Sequence, residues 1–238
     1  MHFIFKIRLR RTYTIILVLI ASALLVIYMK ITSTRKRYVI INWDPVTPNI
    51  SCHYSTEGDA LPSAEAPGFA PATRSIFFHE TSCRGGLNSR QACAVESAAR
   101  AHPHRQVHVL FSAPVTQHVL NHSCIAKLLE FQNVKVARVH IVEYSKGTRI
   151  NSFISNYLND SKWNRTEHPV EYTSDVLRYV TLNKWGGIYL DLDMLVTRSL
   201  EPLPPNWIVR LSTTDLATGI LAFARDDLGI DLTETILQ

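Results

Sequence analysis

Two carboxylates one residue apart, Asp191 and Asp193, follow the run Ile188, Tyr189, Leu190, whose aromatic and β-branched character is that of a buried strand. In an extended backbone, residues i and i+2 point to one face, so the two acids are expected to project together while Leu192 turns back into the core. Like charges held that close repel unless a cation lies between them, and carboxylate oxygens select a hard ion, Mg²⁺ or Mn²⁺, over zinc. Such an ion is suited to clamp a diphosphate and to stabilise the charge that develops as it leaves. Upstream, Asp175 and Arg178 lie three apart and share one face of any helix that contains them. An acid, a guanidinium and a pair of carboxylates could therefore converge on one polar ligand.

Positioning these side chains requires a helix, a sharp turn and a strand, and the stretch Thr173 to Arg198 supplies all three. Ser174 reads as an N-cap with Asp175 in the first turn, and Val176 to Trp185 keep an apolar stripe. Gly186 and Gly187 then end the helix and let the chain turn tightly into the strand.

A lone D-x-D is common, whereas the combined string S-D-x-x-R-(x)₇-G-G-x-Y-x-D-x-D is restrictive. It resembles the glycosyltransferase group with a DXD sugar-binding region, which includes the lactosylceramide α-1,4-galactosyltransferases and the α-1,4-N-acetylglucosaminyltransferases. Ile76 to Ser82 resembles the family's first strand and its loop, Ala94 to Pro103 its next helix, and Gly219 to Phe223 a later segment. The resemblance implies a GT-A nucleotide-diphospho-sugar transferase fold, an α/β architecture with a mainly parallel, Rossmann-like sheet. It implies that Asp191 and Asp193 hold Mn²⁺ (or Mg²⁺) and through it a UDP-sugar, with Asp191 also touching the ribose. Asp175 and Arg178 would carry the catalytic contacts to the donor sugar or its phosphate, and Phe78, His79, Glu80 and Thr81 would line the uridine pocket. Gly186, Gly187 and Tyr189 complete the expected donor-binding set.

The activity implied is retaining transfer of galactose or an N-acetylhexosamine to a terminal sugar of a glycosphingolipid or glycan, through an α-1,4 linkage. One departure falls at Thr218-Gly219, where relatives usually carry Asn-Gly. The family's C-terminal region usually runs well beyond a point equivalent to Gln238, so the catalytic domain is expected to be C-terminally incomplete. The competing reading is a lumenal sugar-nucleotide or glycan-binding protein without turnover. A phosphatase of the haloacid dehalogenase type fits less well, since its D-x-D wants Thr or Val where Leu195 stands.

The N-terminus points to the secretory pathway. Lys6, Arg8, Arg10 and Arg11 precede an uncharged run from Thr12 to Met29, and Lys30, Arg35, Lys36 and Arg37 follow it. The run predicts a transmembrane signal anchor over 12–29, with a cytosolic tail over 1–11 and a proline-bearing extended stem over 30–73. The lumenal domain is then 74–238, on a single-pass type II protein of the Golgi membrane. Eight of the 25 Lys and Arg flank the anchor, leaving 17 basic against 20 acidic residues from Tyr38 onward, a balance of −3. No basic stripe suggests nucleic acid. Sequons at Asn49, Asn121, Asn159 and Asn164 favour lumenal exposure. Cys52, Cys83, Cys93 and Cys124 suit an oxidising compartment, and the short glycine-containing loop favours Cys83 with Cys93.

Within the globular part, strands are predicted over 75–78, 107–111 and 134–142, and helices over 89–101 and 123–131. This alternation argues for a parallel sheet with ligands at the carboxyl ends of its strands, the edge where His79-Glu80-Thr81 and Asp191-Leu192-Asp193 fall. His102, His104 and His108 have no metal-site spacing and are read as surface or loop residues.

Overall fold

The computed structural model describes residues 19–29, 51–152, 154–155 and 168–236, and the chain divides into two units after Val46. The first is represented by a helix over 19–29, and no helix among the described residues is long and apolar enough to cross a membrane. The cytosolic tail, the start of the expected anchor, stem residues 30–50, Trp163 and the sequons at Asn49, Asn159 and Asn164 lie outside the described residues.

The second unit is a mixed α/β sheet. Its elements run β1 (Ile76–Glu80), α1 (Ser89–Ala101), β2 (Val107–Phe111), α2 (Gln117–His122), α3 (Cys124–Leu128), β3 (Val134–Arg138), α4 (Ile141–Tyr144), α5 (Pro169–Trp185), β4 (Gly187–Leu190), β5 (Trp207–Arg210), β6 (Leu216–Phe223) and α6 (Asp227–Ile236). The strand order is β3-β2-β1-β4-β6-β5. β1 to β4 are mutually parallel, and β6 runs antiparallel to both β4 and β5. β1 and β2 are buried along their whole length, as strands covered on both faces must be.

Alternation along β1 sorts its side chains between two cores. Ile76 and Phe78 join Val95 and Ala98 of α1, while Phe77 joins Leu177 and Val180 of α5. α1 begins where the sequence indicates, because Asn88 and Gln91 form a reciprocal capping box. The turn from α5 into β4 needs its glycines: Gly186 has φ 64° and Gly187 φ 107°, and a Cβ on Gly187 would lie 2.4 Å from the Ser75 carbonyl oxygen.

Several expectations are revised. α5 starts at Pro169, so Ser174 lies inside the helix rather than capping it, and Asp175 is beyond the first turn. β3 stops at Arg138, and the predicted helix over 123–131 is confined to Cys124–Leu128. Residues 51–73, read from their prolines as extended stem, are stitched to the sheet. A 3₁₀ turn spans Ser51–Tyr54, Ala64 is buried, and its N–H donates to the Arg138 carbonyl at 2.7 Å. The disulfide joins Cys52 to Cys83, not Cys83 to Cys93, leaving Cys93 and Cys124 as thiols. The 3₁₀ turn makes that pairing possible by bringing Cys52 beside the loop after β1.

Candidate active site

β1 and β4 lie side by side and parallel, and the order of strands reverses between them, with β2 and β3 beyond β1 on one flank and β6 and β5 beyond β4 on the other. Crevices of α/β sheets form at the carboxyl ends of strands at such a switch point. Glu80 ends β1 there with Thr81 just beyond it, and Asp191 to Asp193 follow β4.

The acids are not held as a strand would hold them. β4 ends at Leu190, and the Met194 N–H donates to the Asp191 carbonyl at 3.0 Å, closing a turn over 191–194. Same-face projection by strand alternation therefore does not apply. Asp191 is drawn toward α5, whereas Asp193 is exposed and makes no hydrogen bond or ion pair among the described residues.

Around Asp191 the chain builds a dense polar cluster. The Tyr189 hydroxyl donates to Asp191 Oδ1 at 2.6 Å and meets Ser174 Oγ at 3.1 Å. Arg178 Nη2 lies 3.4 Å from Asp191 Oδ1 and 2.9 Å from Asp175 Oδ1. Arg178 is itself fixed: Nη1 donates to the Thr218 carbonyl at 2.6 Å, Nη2 to Ser174 Oγ at 3.1 Å, and the guanidinium lies 4.7 Å from the Tyr189 ring centre. Its side chain is 5% exposed, against 51% for Asp175 and 33% for Asp191, so the cation is braced while both acids still reach solvent. Partial burial, together with the charges of Asp191 and Glu171, holds the Asp175 carboxyl above its ordinary range against the pull of Arg178.

Gly219 gives Asp191 its room. The Asp191 N–H donates to the Gly219 carbonyl at 2.8 Å, and a Cβ on Gly219 would lie 2.5 Å from Asp191 Oδ2. Asp191 thus spends Oδ1 on the protein, while its Oδ2 occupies the room that a side chain at 219 would take.

The remaining expected donor-site residues separate into two groups. Phe78, His79 and Tyr189 are core residues with little or no exposed surface. His79 Nε2 meets Thr181 Oγ1 at 3.1 Å, its Nδ1 has no hydrogen-bond partner among the described residues, and burial pulls its pKa down to about 3. Burial likewise pushes the Tyr189 hydroxyl up. Glu80 is buried with Oε1 accepting from the Ser82 N–H and hydroxyl and Oε2 without a hydrogen-bond partner among the described residues, and burial pushes its carboxyl up. The Thr81 hydroxyl donates to the Val170 carbonyl at 3.2 Å. Gly186 and Gly187 sit at the opposite end of β4 from the carboxylates, where Gly187 packs on Ser75 and Phe77, so they shape the turn rather than the crevice.

Sequence reasoning missed Ser174 as a ligand of Arg178 and Tyr189, the Thr218 carbonyl, and Gly219 as the spacer beside Asp191. A glycine inside a strand often marks close approach by another group, and that signal was present at Gly219. His102 and His108 are buried, not surface, and His102 Nε2 accepts from the Leu200 N–H at 2.8 Å. Among the described residues the one cluster of three metal-ligand side chains is Cys52, His53 and Cys83, whose sulfurs are consumed by the disulfide.

The family model for the glycosyltransferase sugar-binding region containing the DXD motif matches residues 88–209. The chain belongs to this glycosyltransferase family. Among its relatives, mouse lactosylceramide 4-alpha-galactosyltransferase is 36% identical over 197 residues, covering 79% of this chain and 52% of the mouse protein. The human enzyme of that name is 35% identical over 161 residues, covering 67% and 44%. Inositol phosphoceramide mannosyltransferase 3 of Schizosaccharomyces pombe is 44% identical over 54 residues, covering 22% and 15%. The chain spans about half the length of the galactosyltransferases it matches. Solved structures with a similar arrangement include the PaToxG glycosyltransferase, at 16% identity, 71% and 61% coverage and a TM-score of 0.43. The galactosyltransferase LgtC has 18% identity, 69% and 66% coverage and a TM-score of 0.37.

Proposed function

We propose that this chain is the donor-binding part of a metal-dependent, retaining glycosyltransferase of GT-A type. It transfers galactose or an N-acetylhexosamine from a UDP-sugar to a terminal sugar of a glycosphingolipid, forming an α-1,4 linkage in the Golgi lumen. The observation that carries this reading is the convergence of Asp175, Arg178 and Asp191 at the switch between β1 and β4.

The residues fit a hard divalent ion. The donors are carboxylate oxygens, Asp193 is exposed, and the lack of a side chain at Gly219 makes room for the Asp191 carboxylate. Asp191 and Asp193 would hold Mn²⁺ or Mg²⁺, which when bound supplies charge neutralisation to the departing diphosphate. The chain's own contribution centres on Arg178, a cation already oriented by Ser174, Thr218 and Tyr189 and needing no reorganisation as negative charge grows on the leaving UDP. Asp175, on the same helical face and half-exposed, orients a hydroxyl of the donor sugar. A lipid-linked acceptor is supported by an apolar groove of ≈ 300 Å³ beside the acidic turn, lined by Met194, Leu195, Leu200, Leu203 and Ile220 among others. The names of the mouse and yeast relatives, which both refer to ceramide lipids, favour the same acceptor class.

The test is incubation of the chain with a panel of UDP-sugars, Mn²⁺ and lactose-terminated glycolipid, with separate detection of free sugar and extended glycan. Product formation from one donor, lost in Asp193→Ala, is expected. Donor binding without either product would assign the chain to recognition alone.

A further inference from the structure

We infer that His118 and His122 form a binding site for a borderline divalent transition-metal ion, Zn²⁺ or Ni²⁺, separate from the carboxylates of Asp191 and Asp193. The two histidines stand four apart on α2, the spacing at which side chains of a helix lie one above the other. Their ring centroids lie 4.8 Å apart with the planes inclined by 47°. Both are exposed, and among the described residues neither ring makes a hydrogen bond.

That separation suits a shared ion. A metal–nitrogen bond of about 2.1 Å, continued by about 1.1 Å to the ring centre, puts each centroid about 3.2 Å from the metal, so this pair subtends about 100° there. The angle lies between octahedral and tetrahedral values. Neutral imidazole nitrogens suit zinc, nickel and copper, whereas manganese and magnesium prefer carboxylate oxygens, so the histidine pair and the acidic turn select different ions. Two protein ligands leave the other coordination positions to water, which makes the ion exchangeable.

The helix that carries the pair is anchored by its own contacts. Thr116 caps it through the Val119 N–H at 3.4 Å, Gln117 Nε2 donates to Asn121 Oδ1 at 3.0 Å, and Val119 and Leu120 pack against the core. Val119 Cγ1 lies 3.4 Å from the position a Cβ would take on Gly86, in the loop that leads from β1 to α1. An ion clamped on the outer face would therefore rigidify a helix that abuts this loop.

Calorimetric titration of the full chain with Ni²⁺, in buffer containing excess Mn²⁺, tests the site independently of any donor activity. One saturable event is expected, weakened at least about tenfold in His118→Gln and equally in His122→Gln, because a chelate loses the effective concentration of its second arm. It should be unchanged in His104→Gln, an exposed histidine elsewhere. Proton NMR provides a second readout, in which paramagnetic Ni²⁺ should broaden the His118 and His122 ring signals before those of other histidines. No saturable uptake, an event surviving both substitutions, or loss in only one variant overturns the inference.

Discussion

Arg138, the last residue of β3, and Arg178, midway along α5, are both nearly sealed from solvent, yet they spend their guanidinium groups on different partners. Arg138 donates to backbone carbonyls of Phe111 and Val139 and, across more than eighty residues of sequence, to those of Cys52, His53 and Ser55. Its carboxylate partner among the described residues, Asp59 at 3.1 Å, is itself largely buried. Arg178 meets two acids that still reach solvent. A buried cation whose partners all lie inside the protein is a fastener, whereas one paired with solvent-facing carboxylates at a strand switch point is placed to share its charge with a ligand.

The sharpest way to break this contrast is to remove the fastener. Arg138→Ala strips the buried partner from Asp59 and from three carbonyls of the 3₁₀ segment, and should cost about 3–5 kcal/mol in a urea titration. If the urea midpoint held while UDP binding vanished, the assigned roles would be reversed. Arg178→Lys should do the opposite. It keeps the charge but cannot reach Thr218, Ser174 and two acids at once, so turnover should fall about 10²- to 10³-fold with the unfolding midpoint nearly unmoved.

A third effect is set by protons. Burial holds His79 neutral with its pKa down at about 3, and His53 and His108 at about 4. Each stays unprotonated in the folded chain but takes up a proton on unfolding below pH 6.5. The stability they contribute is therefore complete above 6.5 and lost as pH falls toward the folded values, by about 1.4 kcal/mol per pH unit for each histidine. Glu80 and Asp175, whose carboxyls are raised, act in the opposite sense and reduce stability as pH rises. Comparing wild type with His79→Asn between pH 7 and 5 isolates one histidine: the variant should lose stability less steeply, and identical slopes would refute its burial as a neutral group.

The smallest expected effect is at Tyr189→Phe. Deleting the hydroxyl that orients Asp191 Oδ1 should weaken UDP binding in Mn²⁺ about tenfold, the worth of one hydrogen bond to a charged group, while leaving the fold in place. An unchanged affinity would show that Arg178 alone positions Asp191.

What could be read from the sequence was local. Asp175 and Arg178 meet because a helix brings residues three apart together, and Gly186-Gly187 turns that helix into β4. The lost detail depended on where elements stop or on partners far along the chain. β4 ends one residue before Asp191, so a turn replaces the alternation assumed for the two acids. Cys52 pairs with Cys83, thirty-one positions away, because the 3₁₀ turn beneath it is held by Arg138, and no spacing rule around Cys83 encodes that. His79 and Tyr189 sit in a motif yet face the core, since strand alternation places them on the α5 side of the sheet.

Calorimetry of UDP binding to the folded second unit, with and without Mn²⁺, on wild type and on Asp193→Asn addresses the central claim most directly. Saturable UDP uptake that requires Mn²⁺ and disappears in Asp193→Asn is expected. Equal uptake without the metal, or retention by the variant, would contradict it.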